Sequence, residues 1–442
     1  MTHRTHLTRR TFSHRRPGTV AVAALAALSA TAVLATAPAD AATTAHNEQV
    51  VLHNVTGAQA DAKSAISGTG QVASYDGRFV VFSTAARLVR QDRNQLDDVY
   101  LRDTVDGITI LVSQRNGRPG NDYSIEPTIS NDGRYVAFTT FATNLFADHN
   151  GSVLDVAVKD MATGRTRLVS VGNDGRQRRQ NSFSPVISGN GRRVAFQTFA
   201  AFGRKDGDRR EDVYLRDVRH HWTRQVSLTP RGTDVRPSVL VGDVSDNGRL
   251  VTFGEANDLW VRDADAGSTT RFWHEPDSPP CQGFPAGSAG RPVISGNGRF
   301  VAFSSCATKI PGADGQHAQV YRMDLATRAL RLVTTDGTAA GTADSFLPSL
   351  SRSGRYVGFG SDASNLAGTD SGTNTDAFVA DLADGSIRRA SQDPAGAEGN
   401  SWSASTGAAI SGDGHTLVYE SYATNLVAHD AYDWEEVLAW RG

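Results

Sequence analysis

The chain has 442 residues, beyond the roughly 250 to 300 at which a single hydrophobic core stops growing, so several domains or a modular array are required. Apolar residues make up 39% and charged residues 21%, with 43 Gly, a balance too apolar for a disordered chain and too polar for a multispanning membrane protein. The formal charge is −2, and −6 without residues 1–41, which hold five Arg and one Asp, so no overall cationic surplus points to nucleic acid or anionic lipid.

Residues 1–41 read as an export leader. A basic stretch (MTHRTHLTRRTFSHRR) precedes an uncharged, Ala-rich run over 19–37 and then Ala39-Asp40-Ala41, the small residues that signal peptidase needs, placing cleavage after Ala41. Thr8-Arg9-Arg10-Thr11-Phe12 resembles the twin-arginine export motif. The mature chain, 42–442, is expected to be secreted and extracellular, without membrane insertion.

One pattern then recurs seven times: VASYDGRFVVF, TISNDGRYVAF, VISGNGRRVAF, DVSDNGRLVTF, VISGNGRFVAF, SLSRSGRYVGF and AISGDGHTLVY. An apolar stretch ending in Ser meets a polar-Gly turn, and an apolar stretch ending in an aromatic follows. Asp76-Gly77 and its equivalents predict a two-residue hairpin turn. A polar loop leads to a third strand ending in Asp, as in DVYLRD to Asp103 and DAFVAD to Asp381, and a short turn to a fourth, as in TILVS and TRLVS. Helical periodicity is absent from the mature chain.

A lone four-stranded sheet with apolar residues on both faces cannot cover them, whereas radial stacking buries each face against a neighbour. The predicted fold is therefore all-β, a seven-bladed β-propeller of four-stranded antiparallel blades. The seventh unit ends after its third strand (EVLAW), and residues 48–53 (EQVVLH) look like its missing fourth, so an N-terminal strand is expected to complete the last blade and close the ring.

These repeats resemble the TolB-type, WD-repeat-like propeller repeats of secreted bacterial proteins. Pro127, Pro185, Pro292 and Pro348 occupy that family's Pro position, and Ala142-Thr143-Asn144-Leu145 and Ala423-Thr424-Asn425-Leu426 its A-T-N-L segment. The resemblance covers the propeller alone and implies a fold rather than an activity, because propellers host binding scaffolds, lyases and peptidase accessory domains.

Four sets of residues are candidates for chemistry. Carboxylates recur six or seven positions apart between second and third strands: Asp92 and Asp98, Asp148 and Asp155, Asp206 and Asp212, Asp370 and Asp376. They suit calcium coordination by type, but the full calcium loop is absent, and capping of the loop is the reading preferred here. Tyr123, Phe183, Phe346 and Trp402 recur just before first strands, where they pack between blades or ring the channel mouth as a ligand platform. The seven serines from Ser74 to Ser411 are too regular to be nucleophiles and are expected to bond within their turns or line the central channel. His149, His317 and His429 are scattered over loops. Cys281 and Cys306 are expected to form one disulfide in an oxidising compartment.

The reading that results is a non-enzymatic binding or scaffold module, monomeric and without a cofactor, calcium being the alternative, whose one face binds a protein or glycan and no nucleic acid. The alternative is a carbohydrate-active enzyme, a polysaccharide lyase or glycosidase, with its site at the channel mouth and no catalytic residue yet assigned.

Overall fold

The computed structural model describes residues 45–50, 62–68, 70–151, 153–203, 210–235, 239–255, 258–274, 291–307, 310, 312–313, 315–368, 370–371, 374–428 and 434–442. Residues 1–41, Cys281, Asp206 and His429 lie outside them, as does the end of the predicted closing strand, 51–53.

Each repeat folds around its polar-Gly turn. In the first, Ser74 N–H bonds Phe79 O at 2.8 Å and Gly77 N–H bonds Ser74 O at 3.0 Å. Only the glycine is left-handed, with φ 67°. The connection is thus the four residues Tyr75 to Arg78, longer than the two-residue turn expected from the sequence. The added length has a use: Ser74 Oγ donates to Asp76 Oδ1 (2.7 Å) and accepts from Phe79 N–H (3.0 Å). The same serine-to-N–H bond recurs at Ser130, Ser188, Ser245, Ser295, Ser351 and Ser411, so the serines hold turns as their regularity implies.

The strands pair into seven four-stranded antiparallel sheets, and no helix occurs among the described residues. Within a blade the second strand's aromatic lies opposite a third-strand residue, and in several blades both are rings: Phe82 stacks on Tyr100 at 5.9 Å and Phe359 on Phe378 at 5.6 Å. The hydrophobic core lies between blades. One cluster joins Val186, Ala195 and Leu215 of the third blade to Val241, Val251 and Phe253 of the fourth; another joins Val379 and Ala377 of the sixth to Leu417 and Trp440 of the seventh. Radial packing is what makes each sheet's two faces dry.

The ring closes as predicted. His46–Gln49 pairs antiparallel with Glu436–Arg441, making the fourth strand of the last blade; it begins two residues earlier than the expected 48–53. A circle of backbone bonds near the axis also passes through every turn. Tyr75 N–H donates to Asn131 O and Asn131 N–H to Gly189 O, and so on through Asp246, Gly296, Arg352 and Gly412, until Asp413 N–H donates to Tyr75 O at 2.8 Å. These links join the middle of each turn to the next blade. They are invisible to a reading of single repeats.

The inner strands are bulged. Register shifts fall between Ile125 and Thr128, Phe183 and Val186, and Phe346 and Ser349. In each bulge a non-glycine residue takes a left-handed φ immediately before proline: Glu126 (54°), Ser184 (49°) and Leu347 (47°). An L side chain and a following proline both resist this geometry, so strain is concentrated on the strands that line the channel.

Candidate functional site

The inner strands line a central pocket with residues such as Ile66, Gln71, Asp243, Arg291, Ser349 and Thr406. At its turn end, the residue after each repeat serine points toward the axis in a sequence of large and small side chains: Tyr75, Asn131, Gly189, Asp246, Gly296, Arg352, Gly412. Arg352 Nε meets Asp246 Oδ2 at 2.9 Å, and its guanidinium lies 5.8 Å from the Tyr75 ring centroid. The glycines make room, since a Cβ on Gly296 would stand 2.6 Å from the Asp246 carboxylate and one on Gly412 2.6 Å from Tyr75. This end is crowded by its own polar plug.

The opposite, loop-bearing end is different. The residue just before each third strand sits at a blade junction, where its carbonyl accepts from the next blade's first strand: Ser124 N–H to Asp97 O, and Ser64 N–H to Glu435 O. Three of these positions are acidic: Asp97, Glu211 and Glu435. Burial pushes both Asp97 and Glu211 above the ordinary carboxylate range, opposed by Lys63 at Asp97 and by Arg291 at Glu211. Neither side chain has a hydrogen-bond or ion-pair partner among the described residues. Arg291 also has none; burial lowers its pKa while Glu126 and Glu211 act against that fall. A half-buried carboxylate and guanidinium that answer each other only through space carry a desolvation cost that no direct bond offsets.

Near Asp97, Lys63 of the first blade forms an ion pair with Glu435, whose side chain is 2% exposed. Glu420, equally buried, accepts from Ile66 N–H at 2.6 Å and from the Thr406 hydroxyl; burial, with Glu435 adding its charge, pushes it up to about 7. Trp402, 56% exposed, accepts a backbone bond from Tyr422, and Trp434, 50% exposed, precedes Glu435. Asp243, deeper in the channel, is also pushed up to about 7 by burial, although Val244 and Ile294 N–H groups bond its carboxylate.

The residues singled out by sequence are placed as follows. Asp98, Asp155, Asp212 and Asp376 are buried at the start of third strands, where each accepts from a serine just beyond the end of the fourth strand: Ser113, Ser170, Ser227 and Ser391. That hydroxyl in turn accepts from the next backbone N–H, as Val156 N–H does to Ser170 Oγ at 3.1 Å. The first carboxylates are held too: Asp92 accepts from the Tyr100 hydroxyl at 2.6 Å, and Asp148 from Gln177 at 3.0 Å. Among the described residues one acidic group has metal-ligating spacing, Asp370, Asp376 and Glu398, with facing oxygens within 4.8 Å. Arg389 already meets Asp370 at 2.9 Å and Asp376 at 3.4 Å there. Tyr123 is 45% exposed like Trp402, whereas Phe183 and Phe346 are half-buried, Phe183 against Phe199 at 5.9 Å. Cys306 is half-buried after a second strand, its predicted partner falling outside the described residues. Asp92, His149, His317 and Asp370 stay in loops of separate blades.

Asp97, Glu211, Arg291 and Glu420 escaped the sequence reading, because each departs from the repeat consensus at its position. Departure from consensus is the signal that finds them.

No family model matches this sequence, and no curated protein sequence does. Solved structures do share its fold. One is TolB from Acinetobacter baumannii, at 15% identity and TM-score 0.39, covering 66% of this chain and 59% of that one. This chain thus spans less than two thirds of that TolB's length. Another is an oligogalacturonate lyase from Vibrio parahaemolyticus, at 10% identity and TM-score 0.51, covering 90% and 97%. A third is the β-propeller domain of the trilobed protease from Pyrococcus furiosus, at 12% identity and TM-score 0.51, covering 86% and 96%.

The resemblance to TolB-type propellers is borne out as a likeness of fold. The expectation of a non-enzymatic binding or scaffold module is corrected: the solved structures that share this fold over most of the chain include an oligogalacturonate lyase and the propeller of a protease. Among the described residues, no helix is long and apolar enough to cross a membrane.

Proposed function

We propose that the protein is an exported carbohydrate-active enzyme that hydrolyses a glycosidic bond at the loop-side mouth of its channel. The observation that carries this reading is the partnerless, half-buried Glu211, its pKa raised by burial, within reach of the charge of an equally partnerless Arg291. Glycoside hydrolysis asks for two carboxyl groups, one kept protonated by its surroundings to donate to the leaving oxygen. Glu211 is suited to be that acid. Trp402 and Trp434 supply ring faces on which a sugar stacks.

Arg291 favours a second reading, elimination on a uronic acid polymer, because an unpaired guanidinium is a fork for a substrate carboxylate. Against it, Asp97, Glu126, Glu211, Glu420 and Glu435 outnumber Lys63 and Arg291 near this mouth and repel an anionic chain. Neither reading requires a metal; a calcium at Asp370, Asp376 and Glu398 would have to displace Arg389. Export rests on the leader-like residues 1–41.

Release of reducing ends from a panel of neutral and uronic polysaccharides tests the proposal. Glu211→Gln is expected to lower kcat about 10²-fold or more with thermal stability unchanged. Turnover untouched by Glu211→Gln, or none on any polymer by folded protein, sinks hydrolysis at this mouth. An unsaturated product with ultraviolet absorbance would establish the elimination instead.

A further inference from the structure

Charge in this chain is segregated. Between residues 161 and 231 lie 15 Arg or Lys against 6 Asp or Glu, inside a chain of net −2, so the whole-chain balance hides a basic region. The fold places several unpaired arginines of this region, with two from a hairpin earlier in the chain, along one outer arc. Arg165 and Arg167 stand exposed on the outermost strand of the second blade, Arg165–Leu168, and Arg224 on that of the third, Trp222–Gln225. Arg179 is exposed in the loop between them, and Arg115 and Arg118 on a small hairpin leaving the first blade. None of these six side chains has a hydrogen-bond or ion-pair partner among the described residues. The turn arginines do: Arg78, Arg134, Arg249, Arg299 and Arg355 each meet a third-strand Asp.

The three elements are held side by side. Lys159 of the second blade donates to Gln114 O beside the hairpin at 2.5 Å, and Asn173 and Thr223 exchange bonds of 3.1 and 2.7 Å between second and third blades. Arg165 and Arg167, two residues apart on a strand, are spaced about 6.6 Å along it. Arg224 lies 4.4 Å from the centroid of Trp222. A row of guanidiniums with no counter-charge destabilises the fold by self-repulsion and is an electrostatic footprint for a polyanion. Neither outer strand carries an exposed large apolar side chain, which a lipid surface would need to be held by insertion. The row lies along an extended edge, which suits a linear polymer bearing repeated acidic groups.

We propose that the outer arc of the first three blades binds an acidic polysaccharide, through guanidinium pairs to its carboxylate or sulfate groups. This site is separate from the acidic channel mouth and does not depend on the activity assigned there. The test is binding of the purified protein to heparin as a sulfated probe and to polygalacturonate as a carboxylated one, with and without added NaCl. The triple variant Arg165→Glu, Arg167→Glu, Arg224→Glu is expected to weaken binding at low salt at least tenfold, and Arg388→Glu, on the outer strand of the sixth blade, to leave it unchanged. Wild-type affinity should fall steeply as salt shortens the reach of charge. Should the triple variant not fold, Arg115→Glu with Arg118→Glu on the separate hairpin serves in its place. Unchanged binding in a folded variant overturns the proposal, as does tighter binding of the wild type to duplex DNA or anionic vesicles than to either polysaccharide.

Discussion

Glu420 in the seventh blade accepts the backbone N–H of Ile66 in the first at 2.6 Å, so a side chain as well as a strand fastens the ring. Burial, then the charge of Glu435, pushes this carboxyl to about 7. A carboxyl whose folded pKa is raised contributes stability that is complete below its ordinary value and lost as pH climbs through the folded one. Gln197 fills the same repeat position in the third blade and bonds Val239 O and Val241 N–H, so glutamine fits there. Glu420→Gln is expected to leave Tm at pH 5 nearly unchanged and to raise it at pH 8 by about 2 to 4 °C. Circular-dichroism melts at the two pH values decide; equal shifts at both would refute the assignment.

The whole protein should be most stable in mild acid. Asp98, Asp243 and Asp376 are pushed to about 7 by burial, and their contribution declines as pH rises from the ordinary carboxylate range toward that value. Asp263 and Asp381 are held below the ordinary value by Arg249 and Arg355, and their contribution vanishes as pH falls through and below that range. Urea midpoints are therefore expected to peak between about pH 4 and 6. A midpoint that keeps rising to pH 8 would contradict this.

Gly77 packs on the preceding blade as well as adopting φ 67°. A Cβ there would lie 2.1 Å from Thr416 Oγ1, whereas one on Gly117, φ 77°, meets nothing within 4 Å. Gly117→Ala should cost only the left-handed penalty, about 1 to 2 kcal/mol. Gly77→Ala carries that and a clash across the closing junction, a further 1 to 3 kcal/mol or about that. Denaturant unfolding of the two variants compares them directly, and equal losses would show that the junction yields.

Asn47 ties the closing strand to the sixth blade, donating to Ala390 O at 2.9 Å and Gln392 O at 2.8 Å while accepting from the Tyr419 hydroxyl at 2.8 Å. Asn47→Ala should destabilise by about 2 to 3 kcal/mol, since buried partners lose their bonds. Removing residues 42–50 leaves Glu436–Arg441 as a bare edge and is expected to give dimers or aggregates by size-exclusion chromatography. A monomer of unchanged stability would show that the strand is dispensable.

The repeat was legible because its cause is local: Gly77 and its counterparts must turn left-handed, and the apolar stretches on either side must pair and be covered, which a ring of like sheets achieves. The turn's length was misjudged, since Asp76-Gly77 alone does not reveal that Ser74 bonds across it to Phe79. Asp98 and Asp155 were legible as loop-holding carboxylates, but not their partners, because the serines they accept from, Ser113 and Ser170, lie 15 residues on, beyond the fourth strand. What only the tertiary structure decided is where the odd residues meet. Glu211 and Arg291 stand 80 positions apart, and the arginines of three blades are distant in the chain; their electrostatic company is set by the rotation from one blade to the next, which no single repeat contains.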